Sequence, residues 1–420
     1  MSFQFLFKKL SSLSFLKVIT LIFGVLSTIQ LTTQLAASEF GLYCLAMSFC
    51  LIISVFVKQG LDNSLLKIAS ALNGAQRGRV YYQVLLAAFF FSIPLLITIH
   101  SLKEFIFLEI LGHAELIHLI GWVSTAVIFF TFNTINCSLL TAYGKAGISI
   151  FFSGLLPNFL LLMILLNSEL TSAYQAFGIY SISVVFNCIC SFLMTLSTLA
   201  SDRGLEKAKN NSVSFSKIIS INLSFFVLAL CALVNQQLPS LLLGKYVSLA
   251  ELAEFTLALK VVMLMSVPLI AMNSYTAPLF SRLYSEKKIH DLKSLFRLSQ
   301  KLLMLIAMVS GACLWFAAET VLGIFGDEYL GAESYVKVLL IGQIVNLSCG
   351  SVVSILTMTG FHKLHLKNTI IISSISFLLL LYFIPIGGAL AASYITSIAL
   401  AAINFISLFF VFKKVLASNR

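Results

Sequence analysis

The chain has 420 residues, of which 59% are hydrophobic and only 10% charged, with mean hydropathy +1.01 and a formal net charge of +11. A soluble domain carries roughly a quarter charged residues, so this composition excludes one and points to many membrane-crossing helices. The positive charge is spread over loops and not gathered on one folded surface, which sets aside a nucleic-acid partner.

A helix needs about 20 apolar residues to cross the hydrocarbon, and twelve such stretches can be laid along the chain. In the first half they run over 15–36, 42–64, 80–101, 116–142, 146–167 and 174–199. In the second half they run over 218–243, 254–280, 301–324, 334–359, 366–386 and 389–412. Basic residues fall on the first tail, on alternate gaps and on the last tail: Lys8, Lys9, Arg77, Arg79, Lys145, Lys207, Lys287, Lys288, Lys363, Lys413 and Lys414 among them. The other gaps hold acids such as Glu39, Glu104, Glu109, Glu115, Glu169, Glu251, Glu254 and Asp327. Loops next to spans keep Lys and Arg in the cytoplasm, so both termini and all the basic gaps are expected there. A cleaved signal peptide is discounted, because the flank of span one recurs inside the chain.

In chain order, span one carries Lys17 near its cytoplasmic end, with Gln30 and Gln34. Span two carries Lys58 four residues before Asp62, a spacing at which the two can pair on one helix face; Asp62 is alternatively an acid for ion binding. Spans three to six contribute Pro94, Asn133, Asn136, Pro157, Asn158 and Asn187, whose amides suit either hydroxyl recognition or bonds between helices. Residues 201–217 form the most polar cytoplasmic loop, read as the linker between a first bundle over 1–200 and a second over 218–420. Span seven holds Asn235-Gln236-Gln237 just before Pro239. Three adjacent amides cannot all face one neighbouring helix, so a broken helix touching an aqueous cavity is expected. Span eight carries Lys260, which has no acid one turn away, and Pro268, Asn273 and Pro278. Residues 284–300 place Ile289, Leu292, Leu295 and Phe296 at helical spacing among Lys287, Lys288, Lys293 and Arg297, predicting a short helix lying on the inner membrane surface. Span ten adds Gln343 and Asn346.

A charge at the bilayer centre costs about 3 kcal/mol on insertion scales, and such residues usually face a cavity. Lys260, Lys17 and Lys58 are therefore the candidate cavity cations, with Lys260 foremost. Chemistry motifs are missing. The eight cysteines lie within spans without a C-x-x-C, and the six histidines form no H-E-x-x-H. No G-x-x-x-x-G-K occurs. The expectation is reduced packing thiols, no metal, no cofactor and no catalytic residues.

The halves repeat faintly. Ser38-Glu39-Phe40-Gly41-Leu42 matches Ala253-Glu254-Phe255-Thr256-Leu257 at an offset of 215, and Lys67 matches Arg282 at the same offset. Thr141-Ala142-Tyr143-Gly144 matches Thr357-Met358-Thr359-Gly360 at an offset of 216. Six is an even number of crossings, so two like-oriented six-helix bundles are expected around a central cavity, as parallel pseudo-repeats.

Several stretches resemble a known group. Ala277-Pro278-Leu279-Phe280-Ser281-Arg282-Leu283-Tyr284, Ile324-Phe325-Gly326-Asp327-Glu328-Tyr329, Gly342-Gln343, Thr359-Gly360 and Ile384-Pro385-Ile386-Gly387-Gly388-Ala389-Leu390-Ala391-Ala392 are similar, in order, to segments of the Wzx-type O-antigen and exopolysaccharide flippases. Glu39-Phe40-Gly41-Leu42-Tyr43 and Gln59-Gly60-Leu61-Asp62 resemble the same family in the first half. Their superfamily also holds multidrug and toxin extruders and lipid II flippases. The resemblance implies an all-α polytopic protein of the bacterial cytoplasmic membrane, working by alternating access. It would move an undecaprenyl-diphosphate-linked oligosaccharide from the inner to the outer leaflet. Its partners would be that lipid-linked substrate, membrane lipids, a polysaccharide polymerase and a chain-length regulator. Lys260, Lys17 and Lys58 would then meet the diphosphate. Asn235, Gln236, Gln237, Gln30 and Asn273 would meet the sugars.

Two alternatives stay open. A multidrug and toxin extruder shares the fold but should bury a carboxylate in its first-half helices, and span one has none. A membrane glycosyltransferase or polymerase should carry acids beside a sizeable outer loop, and the outer gaps here are short.

Overall fold

The computed structural model describes residues 3–72, 74–202 and 215–416. Among these there is no strand. Nine described helical stretches are long and apolar enough to span a membrane: Leu13–Gln34, Ala37–Lys58, Gln76–Ser101, Glu115–Ala142, Ala146–Leu165, Ala173–Ser201, Leu249–Ser285, Ile289–Gly323 and His362–Leu416. Two more spans are bent pairs, Phe225–Gln236 with Leu238–Tyr246 at 44° and Asp327–Cys349 with Val352–Met358 at 41°. The stretch His362–Leu416 is itself two spans, since Gly388 interrupts it at φ 52° and ψ −141°, outside any helical region. Among the described residues twelve crossings result, and the protein is an all-α polytopic membrane protein.

The chain packs as two compact units, Ile19–Leu233 and Val234–Arg420 with Met1–Val18. In the first, Leu61, Leu65, Tyr81, Val84 and Leu139 are buried in one cluster. In the second, Phe280, Leu292, Phe296, Val352, Ile355 and Val411 form another. Within the first unit polar side chains tie helices together. Tyr81 Oη donates to Asn136 Oδ1 at 2.7 Å, and Asn136 Nδ2 donates to Ser191 Oγ at 2.9 Å. Asn133 and Asn187 both donate to the Phe152 carbonyl, at 3.0 and 2.9 Å. That carbonyl lies in a π-helical turn, Phe151–Leu155, where the backbone ladder is widened and acceptors are freed. Asn158 Nδ2 reaches the Thr20 carbonyl at 3.2 Å. These first-half amides bond between helices.

Three prolines sit where helices resume. Pro157 follows the π turn, Pro239 follows Gln237, and Pro268 follows a 3₁₀ turn at Leu264–Ser266. A proline lacks the N–H that the first turn of a helix leaves unpaired, so it restarts a helix without loss.

The structure corrects two sequence expectations. Span two ends at Lys58 instead of residue 64, because Gln59 and Gly60 take left-handed backbone at φ 48° and 83°. A separate amphipathic helix, Leu61–Ser70, then begins, with Leu61, Leu65 and Ile68 buried. The basic segment 284–300 is not a separate surface helix either. From Ile289 it runs into span nine as one 35-residue helix, Ile289–Gly323. At helical rise that is about 52 Å, well beyond a hydrocarbon core of about 30 Å. Nothing between Arg297 and Leu302 breaks a helix, so the basic turns continue the span's axis. The expected linker 201–217 lies mostly outside the described residues, as do the side chains of Lys8, Lys9 and Lys207.

The internal repeat has structural counterparts. Phe40 and Phe255 are both fully buried. Gly144 and Gly360 end their helices at φ 74° and 86°. Glu39 Oε2 accepts the N–H of Ala173, at the start of span six, at 2.6 Å. Glu251 Oε1 accepts the N–H of Ala389, at the start of span twelve, at 2.9 Å. Ala173 and Ala389 are 216 apart, the repeat offset, while the second acceptor comes from one turn before the residue that matches Glu39 in sequence.

Candidate functional site

The polar side chains singled out in the sequence divide between the two units. In the unit Ile19–Leu233, Lys58 Nζ lies 3.9 Å from Asp62 Oδ2, and the two side chains are 16% and 20% exposed. The same ammonium stands 5.3 Å from the centroid of the Phe130 ring. The structure thus brings Lys58 and Asp62 together, across the break at Gln59 and Gly60. Gln30 Oε1 accepts from Gln34 Nε2 at 3.4 Å, and Gln34 in turn bonds the Leu165 carbonyl and the Leu170 N–H. Gln30 is therefore tied into a junction between spans one and five.

In the unit Val234–Arg420 with Met1–Val18, the helix of span seven stops at Gln236 and resumes at Leu238. The amide run lies at this break. Asn235 Nδ2 donates to Ser373 Oγ at 2.6 Å, Gln236 is exposed and Gln237 is half-buried. The resumed helix, Leu238–Tyr246, packs on span eight and on the His362–Phe410 stretch. Asn273, on Val267–Ser285, keeps a buried Oδ1 with no hydrogen-bond partner among the described residues. Lys17 is exposed, on the helix Phe3–Gln34.

Lys260 is exposed and lies in the last turn of the helix Leu249–Met263, just before the 3₁₀ turn at Leu264–Ser266. Lys58 likewise lies in the last turn of Ala37–Lys58. A helix C-terminus carries about half a negative elementary charge, worth up to about 2 kcal/mol to a partly buried cation. The break after Lys58 therefore offsets part of the cost of holding it in the membrane, whereas the backbone after Lys260 stays helical through the 3₁₀ turn. Lys17 has no such break beside it. Near the 3₁₀ turn lies Thr256, whose buried Oγ1 has no partner among the described residues. Within the turn, Ser266 accepts from Gln343 Nε2 at 2.9 Å. A hydroxyl on an apolar helix gives no periodic signal, so only the fold reveals these two.

A family model described as polysaccharide biosynthesis protein matches residues 31–334. The chain belongs to that family. No curated protein matches it. Among solved structures it is similar to the lipid II flippase MurJ in an inward closed conformation, at 16% identity and TM-score 0.73, over 96% of this chain and 87% of that one. It is also similar to an inward-facing multidrug resistance MATE family transporter of the MOP superfamily, at 13% identity and TM-score 0.69, over 95% of each chain. A MOP superfamily transporter from Pyrococcus furiosus, whose binding pocket is described as having reversed polarity, aligns at 14% identity and TM-score 0.69 over 99% and 96%. These likenesses establish that this polysaccharide biosynthesis protein has the fold of flippases and transporters.

Proposed function

We propose that this member of the polysaccharide biosynthesis family is a flippase that carries an undecaprenyl-diphosphate-linked oligosaccharide from the inner to the outer leaflet of a bacterial cytoplasmic membrane. The observation that carries the reading is the family match over residues 31–334, on a chain that shares its fold with a lipid II flippase. The chemistry agrees. Sugars and a diphosphate cannot cross hydrocarbon alone, because their polar groups would lose water without gaining partners. Lys260 on span eight, Lys58 beside Asp62 at the end of span two, and Lys17 on span one are cations suited to an anionic headgroup. Amides at the break in span seven, with Gln30 and Asn273, supply donors and acceptors for hydroxyls. The partners in this reading are the lipid-linked oligosaccharide, membrane lipids, and the polymerase and chain-length regulator that take up the product, with both termini in the cytoplasm.

Deleting the gene tests it. The expected result is lipid-linked repeat units accumulating on the inner leaflet and loss of surface polysaccharide, both restored by the intact gene. Unchanged polysaccharide, together with new sensitivity to cationic drugs, would point to a multidrug extruder instead.

A further inference from the structure

At one end of the unit Ile19–Leu233, spans four and six and the chain connecting spans five and six border an open hollow of about 300 Å³. That is at the lower end of the sizes of pockets that hold small organic ligands. Two of its walls are aromatic. Trp122 and Tyr174 have ring centroids 6.3 Å apart and planes inclined at 64°, so they form an open corner and not a stacked pair. Gly178 allows the indole to lie close: a Cβ there would stand 3.2 Å from Trp122 Cε2. The Trp122 Nε1–H is buried and has no acceptor among the described residues. Such an orphan donor is uncommon in a folded interior.

The rim is polar and open. Glu169 and Gln175 are exposed. The Gln175 Oε1 accepts the N–H and hydroxyl of Thr171 at 3.0 and 3.3 Å. Its amide N–H groups have no acceptor among the described residues. The lining of the hollow is largely apolar, with Glu169, Gln175 and Ser168 (whose hydroxyl donates to the Ile164 carbonyl at 2.8 Å) at its edge.

We infer that this hollow is a binding site for a single pyranose ring, outside any role assigned above to Lys17, Lys58 or Lys260. The chemistry selects a sugar. A pyranose has an apolar C–H face that stacks on an aromatic ring and an equatorial belt of hydroxyls that needs donors and acceptors at the edge. An acyl chain would fill the corner but leave the edge groups to water, unused for recognition. Tryptophan and tyrosine are common at span ends, where their rings sit at headgroup level; here the two rings also border the hollow. Glu169 stands in a gap without Lys or Arg, which puts the hollow at the outer face in the topology of the proposed function. On that reading, the site holds a sugar of the repeat unit as it emerges.

The chain has two tryptophans, Trp122 and Trp315. Trp315→Phe therefore leaves Trp122 as the lone indole reporter. The full-length W315F protein in lipid nanodiscs would be titrated with glucose, galactose, rhamnose and N-acetylglucosamine while Trp122 emission is followed. The expected result is a saturable shift with at least one sugar. Tyr174→Ala should weaken it about fivefold and Tyr174→Phe should restore it, as removal and return of one stacking ring would. Should Tyr174→Ala fold poorly, Gln175→Ala should weaken the same response while leaving the far-ultraviolet spectrum unchanged. Either of two outcomes overturns the inference: no saturable shift with any of the sugars, or an undiminished shift in the folded Tyr174→Ala or Gln175→Ala variant. A protein that flips lipid-linked oligosaccharide but shows no sugar response loses only this site. One that binds sugar here but does not flip loses only the flippase reading.

Discussion

Glu251 accepts the backbone N–H of Ala389 at 2.9 Å, so an acid at the start of span eight caps the first turn of span twelve. Glu39 does the same for Ala173 at the start of span six, at 2.6 Å. Helix N-termini leave backbone donors unpaired and carry partial positive charge, and both carboxylates answer that need. Replacing either by alanine should cost about 1–2 kcal/mol, the usual value of a lost cap. Glutamine, which still offers an oxygen, should cost less. Thermal unfolding in detergent would check the order, with Glu→Ala melting lowest and Glu→Gln between it and the parent.

Gly60 ends span two at φ 83°, and a Cβ there would stand 2.8 Å from Phe225 Cβ and 2.9 Å from the Phe226 nitrogen. Gly60→Ala therefore combines left-handed strain of about 1 kcal/mol with a clash against another helix. Gly144→Ala carries similar strain at φ 74° but has nothing within 4 Å of its Cβ. Yield and melting temperature in detergent should fall clearly for Gly60→Ala and only slightly for Gly144→Ala. Equal losses would show that the close approach to Phe225 does not matter.

The Tyr81–Asn136–Ser191 chain joins spans three, four and six through side chains that are all fully buried. Interhelical hydrogen bonds in membranes average about 0.6 kcal/mol, and an orphaned buried hydroxyl adds to the loss. Asn136→Ala should therefore destabilise the protein by about 1–2 kcal/mol. The double variant Asn136→Ala with Tyr81→Phe should lose less than the sum of the singles. A double-mutant cycle on melting data measures that coupling.

Glu286 lies between the spans eight and nine, where Arg282 Nε approaches its Oε1 at 2.7 Å and Lys288 Nζ its Oε2 at 2.8 Å. The Arg282 hydrogen bond first, and Lys288 second, hold its carboxyl at about 2, below the ordinary 4.5. A depressed carboxylate stabilises the folded turn fully above pH 4.5, and that contribution is lost as pH falls towards 2. Amide exchange at residues 286–289 should therefore quicken between pH 4.5 and 2 beyond its intrinsic pH dependence. Glu286→Gln should remove that excess.

Much of the fold could be read from the chain because hydropathy and loop charge act over whole spans. The break in span seven was legible too, since three amides beside Pro239 suit no continuous helix. The break after Lys58 was not, because Gln59 takes left-handed backbone without being glycine. The fusion of the basic segment with span nine was missed for the opposite reason: amphipathic spacing shows a helix but not its direction. Partners such as Asn235 and Ser373 lie 138 residues apart, and no local pattern joins them. Glu39 and Glu251 read as ordinary loop acids until the helix starts they cap were in view. The pairing of Lys58 with Asp62 was visible because both lie within one turn of chain.

The most direct measurement is leaflet transfer of a purified lipid-linked oligosaccharide in proteoliposomes holding this protein, with Lys260→Ala beside the parent. The account predicts protein-dependent transfer, reduced at least about tenfold by Lys260→Ala, with equal insertion of the two proteins. Absence of transfer by the well-inserted parent would contradict it.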